Sequence, residues 1–192
     1  MDHITVSRDK LKEFFKLNNI EFDEKNFEIE KIKPRDYQEK IIKESIDYYR
    51  NNDNGILNLP CGLGKTYLSL FIIRELKMRK ILIGVPNLEL LKQWYNSIKE
   101  LNYIKNVLMI SSDNISELED IKKFIKHNKE EYIIITSYAS SYKLLKFKLD
   151  LDIKIYDEMH HLVNMNLEKA RDKKSYIKIL EVESKKQLGY SS

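Results

Sequence analysis

The chain has 192 residues, of which 33% are charged and 42% hydrophobic, with a formal net charge of +4. This length and composition fit one globular domain with a proper core and exclude a disordered or fibrous chain. The apolar runs are too short to cross a bilayer, and residues 1–19 are too charged for a signal peptide, so we expect a soluble, intracellular protein. The net charge is only mildly basic. A polyanionic partner would therefore have to meet a local basic face.

The first 30 residues are patterned differently from the rest of the chain. Leu11, Phe14 and Phe15 follow a helical spacing after Ser7, which predicts a short amphipathic helix that begins at an N-cap. A poorly patterned acidic stretch follows this helix, so we expect residues 1–30 to form an N-terminal extension. A second helix is predicted over residues 35–50, directly before the first strand.

From there on, short apolar runs alternate with longer helical stretches, which is typical of βα units. The predicted strands are residues 55–59, 80–85, 106–110, 131–136, 152–157 and 186–190. The predicted helices between them are residues 65–78, 88–101, 116–128, 138–149 and 173–182. Several strands are almost pure Ile, Leu and Val, as strands covered on both faces tend to be. The sequence therefore predicts an α/β domain with a largely parallel sheet and helices on both faces.

The segment between the first predicted strand and the following helix has the features of a phosphate-binding loop. Gly62 and Gly64 allow unusual backbone angles and a close approach to phosphate, while the following helix directs its positive N-terminus at the anion. Lys65 would reach the β and γ phosphates, and the Thr66 hydroxyl would bind the bridging Mg²⁺. The formal pattern has a further glycine where this chain has Leu59, so a chance turn and helix cap is the alternative. The predicted loop residues are Pro60, Cys61, Gly62, Leu63, Gly64, Lys65 and Thr66.

Two adjacent acids, Asp157 and Glu158, follow the predicted strand at residues 152–157. Ligands bind at the carboxyl ends of strands in sheets of this kind. Asp157 would hold Mg²⁺ through water, and Glu158 would polarise the water that attacks the γ-phosphate. The two acids could instead merely cap the next turn, but the upstream phosphate loop favours a nucleotide site.

With both elements in view, the chain resembles superfamily 2 helicases of the DExH type. Residues 60–66 match the first motif of that superfamily, and the sequence Asp-Glu-Met-His at residues 157–160 matches the second. The resemblance implies a RecA-like P-loop NTPase domain that binds ATP and Mg²⁺, with Lys65, Asp157, Glu158 and His160 in the catalytic site. It implies that His160 links the ATP site to the third motif. With His161 following His160, the segment is similar to a variant found in helicases of large DNA viruses and in restriction-type translocases.

An upstream segment matches a further element of that superfamily. Arg35-Asp36-Tyr37-Gln38 is similar to its Arg-x-Tyr-Gln element, which implies that Gln38 reads the adenine edge while Arg35 clamps the base. The alternative interpretation of this segment is an ordinary helix start.

Two later segments are similar to motifs that contact the nucleic-acid backbone. The resemblance implies a DNA or RNA partner bound mainly through its phosphates, which suits tracking without sequence preference. Trp94 and Leu91, within the first segment, could equally serve helix-to-sheet packing. The candidate contact residues are Pro86, Asn87 and Gln93 in the first segment and Thr136, Ser137 and Tyr138 in the second.

Residues 187–192 look like the strand that leads into the third motif, so we expect residues 31–192 to form the first RecA-like domain of a longer motor, with the chain ending inside that motif. The second RecA-like domain, whose arginine finger completes the ATP site in such motors, does not fit within this length. We therefore expect the isolated chain to bind Mg²⁺·ATP weakly and to hydrolyse it slowly, because a missing arginine finger costs about 10³ to 10⁵ in rate.

Two residues depart from the family pattern. Cys61 stands where the family has Thr or Ser, and Lys154 interrupts an apolar strand, which predicts either a sheet edge or a lysine stem that reaches out to solvent.

Two other classes of protein are alternatives to the helicase interpretation. The chain could instead be a P-loop enzyme of another class, such as a small-molecule kinase. It could also be a nucleotide-binding interaction module, although intact Lys65, Thr66, Asp157 and Glu158 argue against an inactive site.

Overall fold

The computed structural model describes residues 32–60, 62–113, 117–163 and 176–191. The predicted helix after Ser7 and the predicted loop residue Cys61 lie outside these ranges. All of the elements below belong to the unit Pro34–Ser192.

In the described part of the chain, six strands form one parallel sheet. They are β1 (Asn54–Asn58), β2 (Lys80–Val85), β3 (Val107–Ile110), β4 (Tyr132–Ser137), β5 (Ile153–Tyr156) and β6 (Lys186–Ser191). Their order in the sheet is β1-β6-β5-β2-β4-β3, and every neighbouring pair is parallel. The parallel α/β sheet predicted from the alternation of strands and helices is therefore confirmed.

The described residues also form five α-helices and two 3₁₀ helices. The α-helices are α1 (Asp36–Tyr49), α2 (Lys65–Glu75), α3 (Leu88–Leu101), α4 (Leu118–His127) and α5 (His160–Val163). The 3₁₀ helices are η1 (Tyr138–Lys146) and η2 (Tyr176–Glu181). None of the helices in the described part of the chain has the length and apolar content that a membrane crossing requires.

The helix predicted over residues 138–149 is a 3₁₀ helix rather than an α-helix. The hydroxyl of Ser141 donates to the carbonyl of Tyr138, three residues earlier, at 2.8 Å. Serine side chains compete for main-chain hydrogen bonds in this way and weaken regular α-helix. The described part of the helix predicted over residues 173–182 is also 3₁₀, as η2.

Alternate strand residues pack against different layers of helices. Ile81 and Ile83 of β2 face a cluster that includes residues of α1, α2 and α3, whereas Leu82 faces residues of α4, η1 and η2. Residues 81–85 of β2 are all buried. The central strands are therefore covered on both sides, which explains why their sequences are continuous apolar runs rather than alternating ones.

Lys154 lies in β5, between β6 and β2, and its side chain is buried. Its Nζ donates to the carbonyls of Ile179 at 3.0 Å, Leu180 at 3.4 Å and Val182. Burial lowers the pKa of Lys154 to about 8. The prediction of an edge position or a solvent-reaching lysine is wrong, because the carbonyls at the end of η2 take the ammonium group inside the protein.

Strand β1 occupies one end of the sheet. It pairs with β6 on one side, and no strand among the described residues pairs with its other side. Ile56, at its centre, is 65% exposed. Ile56 lines a groove together with Tyr48, Tyr156 and Met159, on the sheet face opposite to α2. This end of the sheet is the least covered part of the described core.

Candidate active site

The loop between β1 and α2 adopts the backbone that phosphate binding requires. Gly62 has a φ of 84° and Gly64 a φ of 68°, in the left-handed region that favours glycine. A Cβ at Gly64 would lie 3.1 Å from Gln38 Nε2, so a side chain there would also crowd the neighbouring helix. Helix α2 begins at Lys65 without a side-chain hydrogen bond at its N-cap. The first main-chain N–H groups of α2 can therefore donate hydrogen bonds to an anion.

The first turn of α1 is tied to this loop. The carbonyl of Leu63 accepts hydrogen bonds from the Tyr37 hydroxyl at 3.1 Å and from Gln38 Nε2 at 3.2 Å. Gln38 Oε1 also accepts from the main-chain N–H of Arg35 at 3.0 Å. The structure thus brings Gln38 to the phosphate loop, whereas Arg35 contacts Gln38 and the Tyr37 hydroxyl, to which its Nη1 donates at 3.4 Å. Sequence reasoning missed Tyr37 as a loop contact, although its position beside Gln38 was a usable signal.

Lys65 and Glu158 form the central ion pair of the site. Lys65 Nζ lies 2.8 Å from Glu158 Oε1, and both side chains are largely buried. Glu158 has a φ of 50°, and non-glycine residues in this region are often held there at functional sites. His160 Nδ1 lies 3.3 Å from Glu158 Oε2, within ion-pair distance but without the alignment of a hydrogen bond. Three of the predicted catalytic residues therefore meet at the carboxylate of Glu158.

The fourth predicted catalytic residue, Asp157, is 5% exposed. Its Oδ2 accepts a hydrogen bond from Trp94 Nε1 at 2.8 Å, and its main-chain carbonyl accepts one from the Tyr138 hydroxyl at 2.6 Å. Burial raises the pKa of Asp157, the bond from Trp94 lowers it, and the neighbouring charge of Glu158 raises it. Sequence reasoning missed Trp94 as a partner of Asp157, because the contact depends on how α3 packs on the sheet.

Thr66 and Asp157 fit the predicted Mg²⁺ site in ligand type. Thr66 lies in the first turn of α2, directly after Lys65, and is 7% exposed. Among the described residues there is no cluster of three or more His, Cys, Asp or Glu side chains that could hold a metal alone. Mg²⁺ bound together with substrate phosphates needs only one or two protein ligands, so the site requires no such cluster.

The residues predicted to contact nucleic acid divide into two groups. Asn87 and Gln93 are exposed and Pro86 is half-buried. Asn87 caps α3, and its side chain accepts a hydrogen bond from the N–H of Leu90 at 2.9 Å.

The second group is buried. Thr136, Ser137 and Tyr138 are 0%, 7% and 0% exposed, and the Thr136 hydroxyl donates to the carbonyl of Ser137 at 3.1 Å. The structure does not place these three side chains at the surface, because they pack beneath it at the end of β4.

Comparison with known proteins gives matches along most of the chain. The family described as type III restriction enzyme, res subunit (ResIII) matches residues 31–191. Transcript termination protein A18 of Yaba-like disease virus is 29% identical over 156 residues, which cover 78% of this chain and 31% of that protein. DNA 3'-5' translocase XPB2 of Sulfurisphaera tokodaii is 28% identical over 134 residues, which cover 69% of this chain and 26% of that protein. The chain spans less than a third of the length of either relative.

A solved structure gives the same fold. The Sulfolobus solfataricus SWI2/SNF2 ATPase core in complex with double-stranded DNA superposes with a TM-score of 0.62 at 20% identity, over 84% of this chain and 32% of that chain. The match to residues 31–191 includes both the phosphate loop and the paired acids. The chain belongs to the family of the type III restriction enzyme res subunit and has the RecA-like fold of a superfamily 2 helicase domain.

Proposed function

We propose that this chain is the ATP-binding domain of an ATP-dependent nucleic-acid helicase or translocase. The observation that supports this function best is the ion pair of Lys65 with Glu158, which lies between the phosphate loop and the paired acids at the carboxyl edge of the sheet. Phosphoryl transfer to water needs a cation for the phosphates and a carboxylate for the water. The ion pair holds both groups together.

The residues divide the chemistry between them. The loop and the N-terminus of α2 bind the phosphate chain. Lys65 leaves its ion pair with Glu158 and binds the β and γ phosphates instead. Glu158, released from Lys65, polarises the attacking water. Thr66 and Asp157 would hold Mg²⁺, which would neutralise charge on the phosphates. Arg35 and Gln38 bind the adenine base, and His160, beside Glu158, couples the site to the segment after β6.

The nucleic acid lies along the carboxyl ends of β2 and β4. Pro86, Asn87 and Gln93 contact its phosphates, and the buried residues Thr136, Ser137 and Tyr138 support this surface from below. DNA is the first partner to test, because the Sulfurisphaera relative is named a DNA translocase and the Sulfolobus core was solved with DNA. The parent protein supplies a second RecA-like domain with the arginine finger, so the isolated chain is a slow enzyme.

The phosphate loop can be tested by nucleotide binding. Lys65→Ala should weaken binding of a fluorescent ATP analogue by at least about tenfold, because it removes the cation that meets the phosphates. Lys126→Ala is the matched control, since Lys126 is an exposed lysine on α4. Circular dichroism should show that both variants fold. Equal affinities for Lys65→Ala and the wild type would exclude the nucleotide site.

A further inference from the structure

Two buried aromatic side chains from different elements hold Asp157. The indole N–H of Trp94, on α3, donates to its carboxylate at 2.8 Å, and the hydroxyl of Tyr138, at the start of η1, donates to its main-chain carbonyl at 2.6 Å. Trp94 is 1% exposed and Tyr138 is 0% exposed. Both hydrogen bonds are therefore shielded from water. Such shielding strengthens the bond from Trp94 to the carboxylate in particular.

The bond from Trp94 restricts the carboxylate rather than the backbone. The main chain of Asp157 is already fixed on one side by its N–H, which donates to the carbonyl of Gly84 at 2.9 Å, and on the other by the bond from Tyr138. The remaining freedom of Asp157 is rotation of its side chain. A donor on one carboxylate oxygen limits that rotation, and such outer partners orient carboxylates that bind metals.

Helix α3 joins this bond to the surface proposed for nucleic acid. Asn87 caps the helix, and the exposed Gln93 immediately precedes Trp94 in it. Trp94 also packs in the core cluster between α3 and the sheet. The same side chain therefore serves packing and bonds to Asp157, so a shift of α3 would move the donor relative to the carboxylate.

We propose that Trp94 is a positioning residue whose indole N–H holds the Asp157 carboxylate in the orientation that binds Mg²⁺ beside the nucleotide. The proposal rests on the proposed function, because it assumes a Mg²⁺·ATP site at Asp157. It assigns to Trp94 a role in metal-dependent binding in addition to its role in packing.

The test compares Trp94→Phe with Tyr49→Phe in the binding of a fluorescent ATP analogue at increasing Mg²⁺ concentration. Tyr49 is a suitable control, because it is 3% exposed and its hydroxyl donates to the carbonyl of Gln187 at 2.7 Å, at the amino end of β6. Trp94→Phe should raise the half-saturating Mg²⁺ concentration about tenfold. Its affinity for the analogue in excess EDTA should stay unchanged, and Tyr49→Phe should alter neither quantity.

Two results would overturn the proposal. One is a folded Trp94→Phe chain with the Mg²⁺ half-saturation of the wild type. The other is an equal loss of affinity with and without metal, since this would reveal only a packing role. If the wild-type chain binds no nucleotide, or if Lys65→Ala binds it as tightly as the wild type, the proposed function fails instead.

Fluorescence gives a second measurement that requires no substituted core residue. Trp94 is the only tryptophan of the chain, so the intrinsic emission reports its surroundings directly. With ATP present, Mg²⁺ should change this emission in the wild type, and the change should disappear with EDTA and in Lys65→Ala. An emission that is the same with Mg²⁺ and with EDTA, in a wild-type chain that binds the nucleotide, would contradict the proposal.

Discussion

In the proposed mechanism, Glu158 gives up its ion pair with Lys65 before it acts on water. Its carboxylate is paired with Lys65 at 2.8 Å, and its own φ of 50° fixes the direction from which it reaches the loop. In that mechanism, a nucleotide that takes Lys65 away would leave the carboxylate of Glu158 facing the phosphates. Binding of substrate and activation of the base would thus be one event.

Glu158→Gln should separate binding from hydrolysis. The amide removes the negative charge that competes for Lys65, so nucleotide affinity should be equal to or higher than that of the wild type. The rate of ATP hydrolysis by the full-length protein with DNA should fall at least about 100-fold, because the base is lost. Glu44→Gln, at an exposed position of α1, should change neither quantity. Hydrolysis at the wild-type rate would exclude Glu158 as the base.

At this scale the sequence predicted the residues whose chemistry follows from their type and order. Lys65 after two glycines and Asp157 with Glu158 at a strand end are such residues, and the structure brings them together. The bond from Trp94 to Asp157 could not be predicted in this way. It depends on how α3 packs on the sheet, and an amphipathic helix leaves several residues that could face the core.

Among the elements, η2 depends on a hydrogen-bond donor from the sheet. Lys154 donates to the carbonyls of Ile179, Leu180 and Val182 at the end of this short 3₁₀ helix, and of the three only that of Ile179 has a main-chain donor shown in the described residues, the N–H of Val182 at 3.3 Å. A neutral residue at this position would leave these carbonyls without that donor. The ammonium group, for its part, has lost its hydration, and this lowers its pKa to about 8.

The free energy of unfolding should therefore depend on pH through Lys154. Its folded pKa is about 8 and its ordinary value is 10.5, so between these values the unfolded chain binds more protons. The contribution of Lys154 to the free energy of unfolding therefore rises as the pH increases from about 8 to 10.5. Relative to Lys154→Met, the wild type should gain roughly 2 kcal/mol between pH 8 and pH 10. Urea unfolding of both chains at several pH values measures this difference, and a constant difference would contradict the pKa shift.

The sequence predicted elements best where one regular pattern covers the whole segment. The bounds of β2 and α3 agree with the predicted residues 80–85 and 88–101. Prediction was poorer for η1 and for Lys154. In both cases a polar side chain makes a specific hydrogen bond to the main chain, and hydrophobic periodicity contains no information about such bonds.

For the whole molecule, the sequence predicted a parallel sheet but not the order of its strands. Parallel strands require crossover connections, and these can place a strand on either side of the growing sheet. The insertion of β6 between β1 and β5 follows from contacts across the chain, such as the bond from the Tyr49 hydroxyl to the carbonyl of Gln187. This order leaves β1 at one end of the sheet.

Among the described residues, no strand covers the outer side of β1, so we expect self-association through this edge. An unpaired strand edge with an exposed apolar residue is a template for a strand of another molecule. We expect concentration-dependent oligomers in sedimentation velocity, and Ile56→Lys should reduce them because a charge at the edge opposes pairing. Tyr142→Lys, which changes a 47% exposed residue of η1, should leave them unchanged. Equal oligomer formation in both variants would place the contact elsewhere, and a monodisperse wild type would contradict the prediction.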